Sequence, residues 1–233
     1  MTDTPQIEVT IAAPPDAVWA ALRDKERIRH WHGWEDDSLD AEIDLIYFDH
    51  VKTEDAAAGV LDIQGGDLFE LHPDGDGTRV VLTRAAHSDD PEWDAYYDDV
   101  TEGWITFLHQ LRFALERHPG EPRRTVFLSG ELGTSARPAE ALGLTGFAEG
   151  ASYDAELAGE SVHGAVWFVS EHQLGVTVDE WGDGLLVISG IEPSEAKPKG
   201  AAMAVLTSYG LDQPAYDALA NRWTEWWQPR YTP

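Results

Sequence analysis

The chain has 233 residues, of which 42% are hydrophobic and 10% aromatic, including 10 Trp, which is ample for a packed core and excludes a disordered chain. Its 43 acidic side chains against 16 basic ones leave a net charge of -27, which repels nucleic-acid phosphates and anionic lipid. Cys is absent, so disulfides, thiolate nucleophiles and thiolate metal sites are excluded together.

In chain order, Ile7, Val9 and Ile11 alternate with Glu8 and Thr10, the period of a half-buried strand. Pro14-Pro15-Asp16 then suits a helix start, with Val18, Trp19 and Leu22 on its apolar face, and a second short helix is expected from Asp24 to Trp31. Four stretches with strand character follow. They are Glu42 to Phe48, with Ile43, Leu45 and Tyr47 on one face; Val60 to Ile63; a strand carrying Phe69 and Leu71; and Arg79 to Arg84, with Val80, Leu82 and Arg84 on one side. The Gly-rich stretch from His72 to Thr78 between the last two reads as a hairpin connection.

Asp90-Pro91-Glu92 is a strong helix start, with a capping residue, Pro in the first turn and acids near the positive end of the dipole. From there Trp93, Tyr97, Val100, Trp104, Leu108, Leu111 and Leu115 recur at steps of three and four, predicting a helix of about 27 residues with one buried face. His118-Pro119-Gly120 stops it, and residues 121–124 read as a linker. This divides the chain into a domain over 1–120 and a second over 125–233. The second opens with a strand at Thr125 to Leu128, then a Gly- and Ala-rich stretch with a short helix near Pro138 to Leu142. Strands are expected at Ala165 to Ser170, Gly175 to Val178, Leu185 to Ser189 and Ala202 to Thr207, and a final helix from Gln213.

A shift of 123 positions relates the two regions. It sets Pro91 on Pro214, Asp94 on Asp217, Glu102 on Glu225 and Trp104 on Trp227, with Trp93, Tyr97 and Val100 on Tyr216, Ala220 and Trp223, and Leu82 opposite Val205.

Ile7 to Leu22 with its Pro-Pro-x-x-Val-Trp step, Trp31 closing the second helix, the run from Phe69 to Thr83, and the final helix bearing Gly103-Trp104 together resemble the START-like, or SRPBCC, superfamily of helix-grip, Bet v-like proteins. Within it they resemble the bacterial branch related to activators of the ninety-kilodalton heat-shock chaperone ATPase. The resemblance covers residues 5–117; beyond that the internal repeat carries it. It implies an α+β chain of two tandem helix-grip domains, each an antiparallel sheet wrapped around a C-terminal helix, the second abbreviated. It implies an apolar cavity between sheet and helix but no fixed chemistry.

The inner wall of that cavity is expected to comprise Leu45, Tyr47, Phe69, Leu71, Leu82, Arg84, Tyr97, Val100, Trp104 and Leu108. Arg84 would hold a ligand carboxylate there, or pair structurally with a neighbouring acid. His30 and His32 flank Trp31 but fall on different faces of a helix, so they read as surface residues and not as a metal pair. His87 reads as an exposed loop residue, and the acids at 89, 90, 94, 98 and 99 as helix capping and a solvated face. Phosphate-loop, zinc-protease and serine-hydrolase motifs are absent.

The leading expectation is a non-catalytic, cytoplasmic protein binding an apolar or amphipathic small molecule, with no cofactor, no metal, no nucleic acid and no membrane. The alternatives are a polyketide cyclase-like or dehydratase-like enzyme using the same cavity, and an interaction module with a protein partner, like the chaperone activators.

Overall fold

The computed structural model describes residues 4–86, 91–195 and 197–232, with the side chains of 91–96 outside that description. The chain forms two compact units, Met1–Pro122 and Arg123–Pro233. No described helix is long and apolar enough to cross a membrane.

In the first unit, β1 (Gln6–Ile11) leads into α1 (Pro15–Arg23), α2 (Lys25–Arg29) and α3 (Leu39–Asp44). Strands β2 (Thr53–Asp55), β3 (Val60–Asp62), β4 (Leu68–Asp74) and β5 (Gly77–Thr83) follow, and α4 (Pro91–Arg117) ends the unit. The sheet order is β1-β5-β4-β3-β2, every pair antiparallel. The hairpin meander thus returns its last strand to lie beside the first.

Register explains the core. Ile7 pairs with Leu82, Leu82 with Phe69 and Phe69 with Leu61, a single apolar row across four strands. Val9, Val80 and Leu71 form the next row. Side chains alternate across a strand, so both rows face the same way. There they meet Trp104, Leu108, Leu111 and Ala114 of α4 in one buried cluster. This is a sheet gripping a helix.

Two expectations for this unit are corrected. The stretch from Glu42 to Phe48 is helical: α3 continues directly into a π-helical turn, Leu45–Asp49. Ile43, Leu45 and Tyr47 do alternate, but Leu39, Ile43, Ile46 and Tyr47 fall at i, i+4, i+7 and i+8, and it is this helical set that packs on the core. Leu45 is consequently 41% exposed and leaves the inner wall. Val100, 38% exposed, also leaves the inner wall: among the described side chains of α4, those in the core cluster begin at Trp104. Strand β2 gave no signal beforehand, all three of its residues being exposed.

The second unit repeats the plan. Strands β6 (Arg123–Gly130), β7 (Ser152–Leu157), β8 (Glu160–Val169), β9 (Gln173–Val178), β10 (Gly184–Ile191) and β11 (Ala201–Tyr209) form an antiparallel sheet of order β6-β11-β10-β9-β8-β7. A short α5 (Pro138–Ala141) precedes β7. The closing strand again lies beside the opening one, and α6 (Gln213–Trp227) follows it, capped by Asp212 on the Ala215 amide at 2.9 Å. The abbreviation lies in that helix, 15 residues against 27, while the sheet has six strands to the first unit's five.

The core of this unit joins Val176, Leu186, Ile188, Ala204 and Leu206 to Trp181, Trp223, Trp227 and Tyr231. Here the 123-residue shift needs correction in the strand. Ala204 and Leu206 join α6 in the core, so alternation turns Val205, the residue the shift sets opposite the inward Leu82, to the other face. In the helix the shift holds at Trp104 and Trp227, each a core residue of its unit.

Candidate functional site

The polar groups inside the first unit are set by two local features. The first is the π-helical turn after α3. A π turn is wider than an α turn and rotates the side chains that follow it. It turns Tyr47 fully into the core while Phe48 stays partly exposed, its ring 4.9 Å from the Arg23 guanidinium. Arg23 also donates to the Tyr47 backbone carbonyl and, at 2.8 Å, to Glu54, which pins the turn against α1.

The second feature is the end of α2. Trp31 and His32 follow its last turn and are both buried, the His32 amide bonding the Ile28 carbonyl at 2.8 Å. Gly33 follows at φ +58, where a β-carbon would come within 3.1 Å of Leu39 Cδ1. The Trp31 indole donates to the Ala21 carbonyl at 2.9 Å. The surface position expected of His32 is therefore overturned: the helix stops before it, and the ring is buried.

These features meet. The Tyr47 hydroxyl lies 3.0 Å from His32 Nδ1, and His32 Nε2 lies 3.2 Å from Glu42 Oε1. An ionised carboxylate only accepts, so Nε2 carries a proton toward Glu42, and in the neutral ring Nδ1 then accepts from Tyr47. Glu42 is half-exposed, and the chain Tyr47–His32–Glu42 runs from the core to the surface. Around it stand aromatic rings. His32 lies 4.7 Å from Phe107 and 5.8 Å from Trp104, and Tyr47 lies 5.8 Å from Trp31, edge-on. Phe69 closes on Trp104 at 5.6 Å. Burial, reinforced by the negative charges of Glu42 and Asp67, holds the Tyr47 phenol well above the ordinary tyrosine range, so it remains a proton donor.

Of the expected lining residues, Tyr47, Phe69, Leu71, Leu82, Trp104 and Leu108 are gathered in this core. Arg84 and Tyr97 are buried but committed elsewhere. Arg84 Nε donates to both Asp67 oxygens at 3.0 and 3.1 Å and Nη1 donates to Thr101 at 2.7 Å. Its guanidinium stacks 4.8 Å over the Tyr97 ring, whose hydroxyl donates to the Ala85 carbonyl at 2.7 Å. Asp67 also accepts the Ala85 amide at 2.8 Å. Of the two roles open to Arg84, the structure shows the structural ion pair.

His32, Glu42 and Phe107 were not singled out from sequence as site residues. The available signal was the i, i+4, i+8 spacing of Leu39, Ile43 and Tyr47, which puts Glu42 on the same helix, five positions before Tyr47. Expectations placed on His87, Asp89, Asp90 and the side chains of Trp93 and Asp94 lie outside the described residues. Among the described residues no group of three or more His, Asp or Glu side chains is placed to hold a metal ion.

No family model matches the chain, and no curated protein matches it. Solved structures do. The chain is similar to DynU16, a protein of the dynemicin biosynthetic locus, at 16% identity over 97% of this chain and 96% of that one, with a TM-score of 0.37. It is similar to the di-domain ARO/CYC protein StfQ of the steffimycin pathway at 11% identity over 95% and 91%, TM-score 0.34. It is similar to the di-domain ARO/CYC protein BexL of the BE-7585A pathway at 12% identity over 98% of each chain, TM-score 0.37. At such identities and scores these likenesses say nothing of what this chain binds or does.

Proposed function

We propose that the first unit binds an apolar or amphipathic small molecule between its sheet and α4, with the Tyr47 hydroxyl as the polar contact that orients it. One observation carries this reading: a phenol and an imidazole, hydrogen-bonded to each other, sit inside an otherwise aromatic and aliphatic core. Burying polar groups there costs free energy unless every partner is satisfied, and apolar residues of similar volume would fill the space at no such cost. Such a pair fits a site that must meet a polar atom of a ligand. The surrounding rings suit a planar, partly oxygenated molecule.

The same geometry favours a second reading, an enzyme using acid-base chemistry. A phenol that stays protonated can stabilise negative charge developing on a substrate oxygen once its single proton turns to that oxygen from His32 Nδ1. Both readings use the same residue.

The test is thermal unfolding of the full chain with 1,8-dihydroxyanthraquinone as probe. Binding to the native state must raise the melting temperature with ligand concentration. Tyr47→Phe keeps the ring and removes one hydrogen bond, so it is expected to weaken binding by about tenfold, the equivalent of ~1.4 kcal/mol. A probe that shifts both proteins equally would overturn the role of Tyr47, and no shift in either would overturn binding of this class.

A further inference from the structure

A cleft of about 480 Å³ opens at the end of the first unit where β1 hands over to α1 and α4 terminates. Its size lies within the range of small-molecule sites, roughly 300–1,000 Å³. Its floor is made of Ala17 and Ala21 of α1 and Ala114 of α4, whose short side chains leave the space open. Trp31, buried behind this lining, bonds the Ala21 carbonyl and meets His32 and Tyr47 with its ring, so the indole stands between this cleft and the interior site.

Arg27 is the one permanently charged side chain in the lining. Arg27, His30 and His118 are the ionisable side chains on the cleft, and no carboxylate lines it, in a chain whose net charge is -27. Asp24 lies 3.6 Å from Arg27, and Glu121 3.2 Å from His118, yet neither acid reaches the lining. On so acidic a chain, an Arg27 guanidinium beside alanines and Leu115, with no carboxylate in the lining, is complementary to an amphipathic anion. We infer that this cleft is a second binding site, for a small aromatic or short-chain acyl carboxylate whose apolar body lies on Leu115 and the alanines and whose charge meets Arg27. It is independent of the interior site at Tyr47.

The experiment is calorimetric titration of the full chain with 2-naphthoate and with its neutral analogue 2-naphthylmethanol. The carboxylate is expected to bind at least about tenfold more tightly than the alcohol, as a charge-assisted contact predicts. Arg27→Gln, at a half-exposed side chain, should remove that preference, and Ala17→Trp should fill the cleft and abolish naphthoate binding. Equal affinity for the two probes, or naphthoate binding unchanged in either variant, overturns the site. The melting temperature of Ala17→Trp without ligand checks that it folds, and Arg27→Gln decides the matter if it does not. The two sites fail separately: loss of dihydroxyanthraquinone binding with naphthoate retained removes only the interior reading, and the converse removes only the cleft.

Discussion

Arg84 and Asp67 form a buried ion pair in the first unit. Both are nearly buried, and the pair is closed by Thr101, Tyr97 and the Ala85 amide. Removing one partner of such a pair leaves an uncompensated charge, so Arg84→Met should cost about 3–5 kcal/mol in urea unfolding. Adding Asp67→Leu should recover most of that loss, short of the Ala85 amide left without its acceptor. A double variant no more stable than the single one would contradict this account. His109 provides a pH-dependent counterpart. Burial, helped by the Arg112 charge, lowers its pKa to about 3, against an ordinary value near 6.5. The folded state then holds the ring neutral while the unfolded chain takes up a proton, so its stabilising contribution is present above pH 6.5 and is lost as pH falls toward 3. Between pH 7 and 5 the wild type should lose about 1–2 kcal/mol more stability than His109→Gln, measured by denaturant unfolding at each pH. Equal losses would show that His109 is not the group responsible.

At the scale of elements, glycine positions show how turns place the core. Gly182 ends the 3₁₀ turn that delivers Trp181 to the second core, at φ +72, and a β-carbon there would meet the Tyr209 carbonyl of β11 at 2.0 Å. Gly182→Ala combines left-handed strain with a backbone clash and should cost about 2–4 kcal/mol in urea. A variant as stable as the wild type would mean that the turn can move away from β11. What sequence reveals about elements follows from how many residues agree on one period. Helix α4 was legible end to end because its apolar positions recur at three and four, with Pro91 at its start and Gly120 beyond its end. The α3 segment was not, because Ile43, Leu45 and Tyr47 satisfy a strand period while Leu39, Ile43 and Tyr47 satisfy a helical one. Strand β7 was missed because Ala155 weakens the alternation between Tyr153 and Leu157.

The same limits explain the candidate site. That Tyr47, Phe69, Leu82, Trp104 and Leu108 are core residues of the first unit could be read from spacing; that Tyr47 bonds His32 could not, because it depends on where α2 stops and on a π turn without a sequence signature. The burial of Arg84 at a strand end was legible, whereas its partner lies 17 residues away across a hairpin, a distance that no local pattern reports.

On the scale of the whole molecule, two units share one topology: a meander whose last strand returns beside the first, followed by a helix lying on the sheet. They use it differently. The second unit's described core is built around Trp181, Trp223, Trp227 and Tyr231. The first unit's core carries the Tyr47–His32–Glu42 chain to the surface, and this difference directs the functional reading to the first unit. The account stands or falls on what that phenol faces when a ligand is present. A crystal structure of the full chain grown with 1,8-dihydroxyanthraquinone is expected to show the rings against Trp104 and Phe69 and an oxygen within hydrogen-bonding distance of the Tyr47 hydroxyl. Crystals in which the probe is absent from that interior, with Tyr47 still bonded to His32 among unmoved aromatic rings, would contradict it.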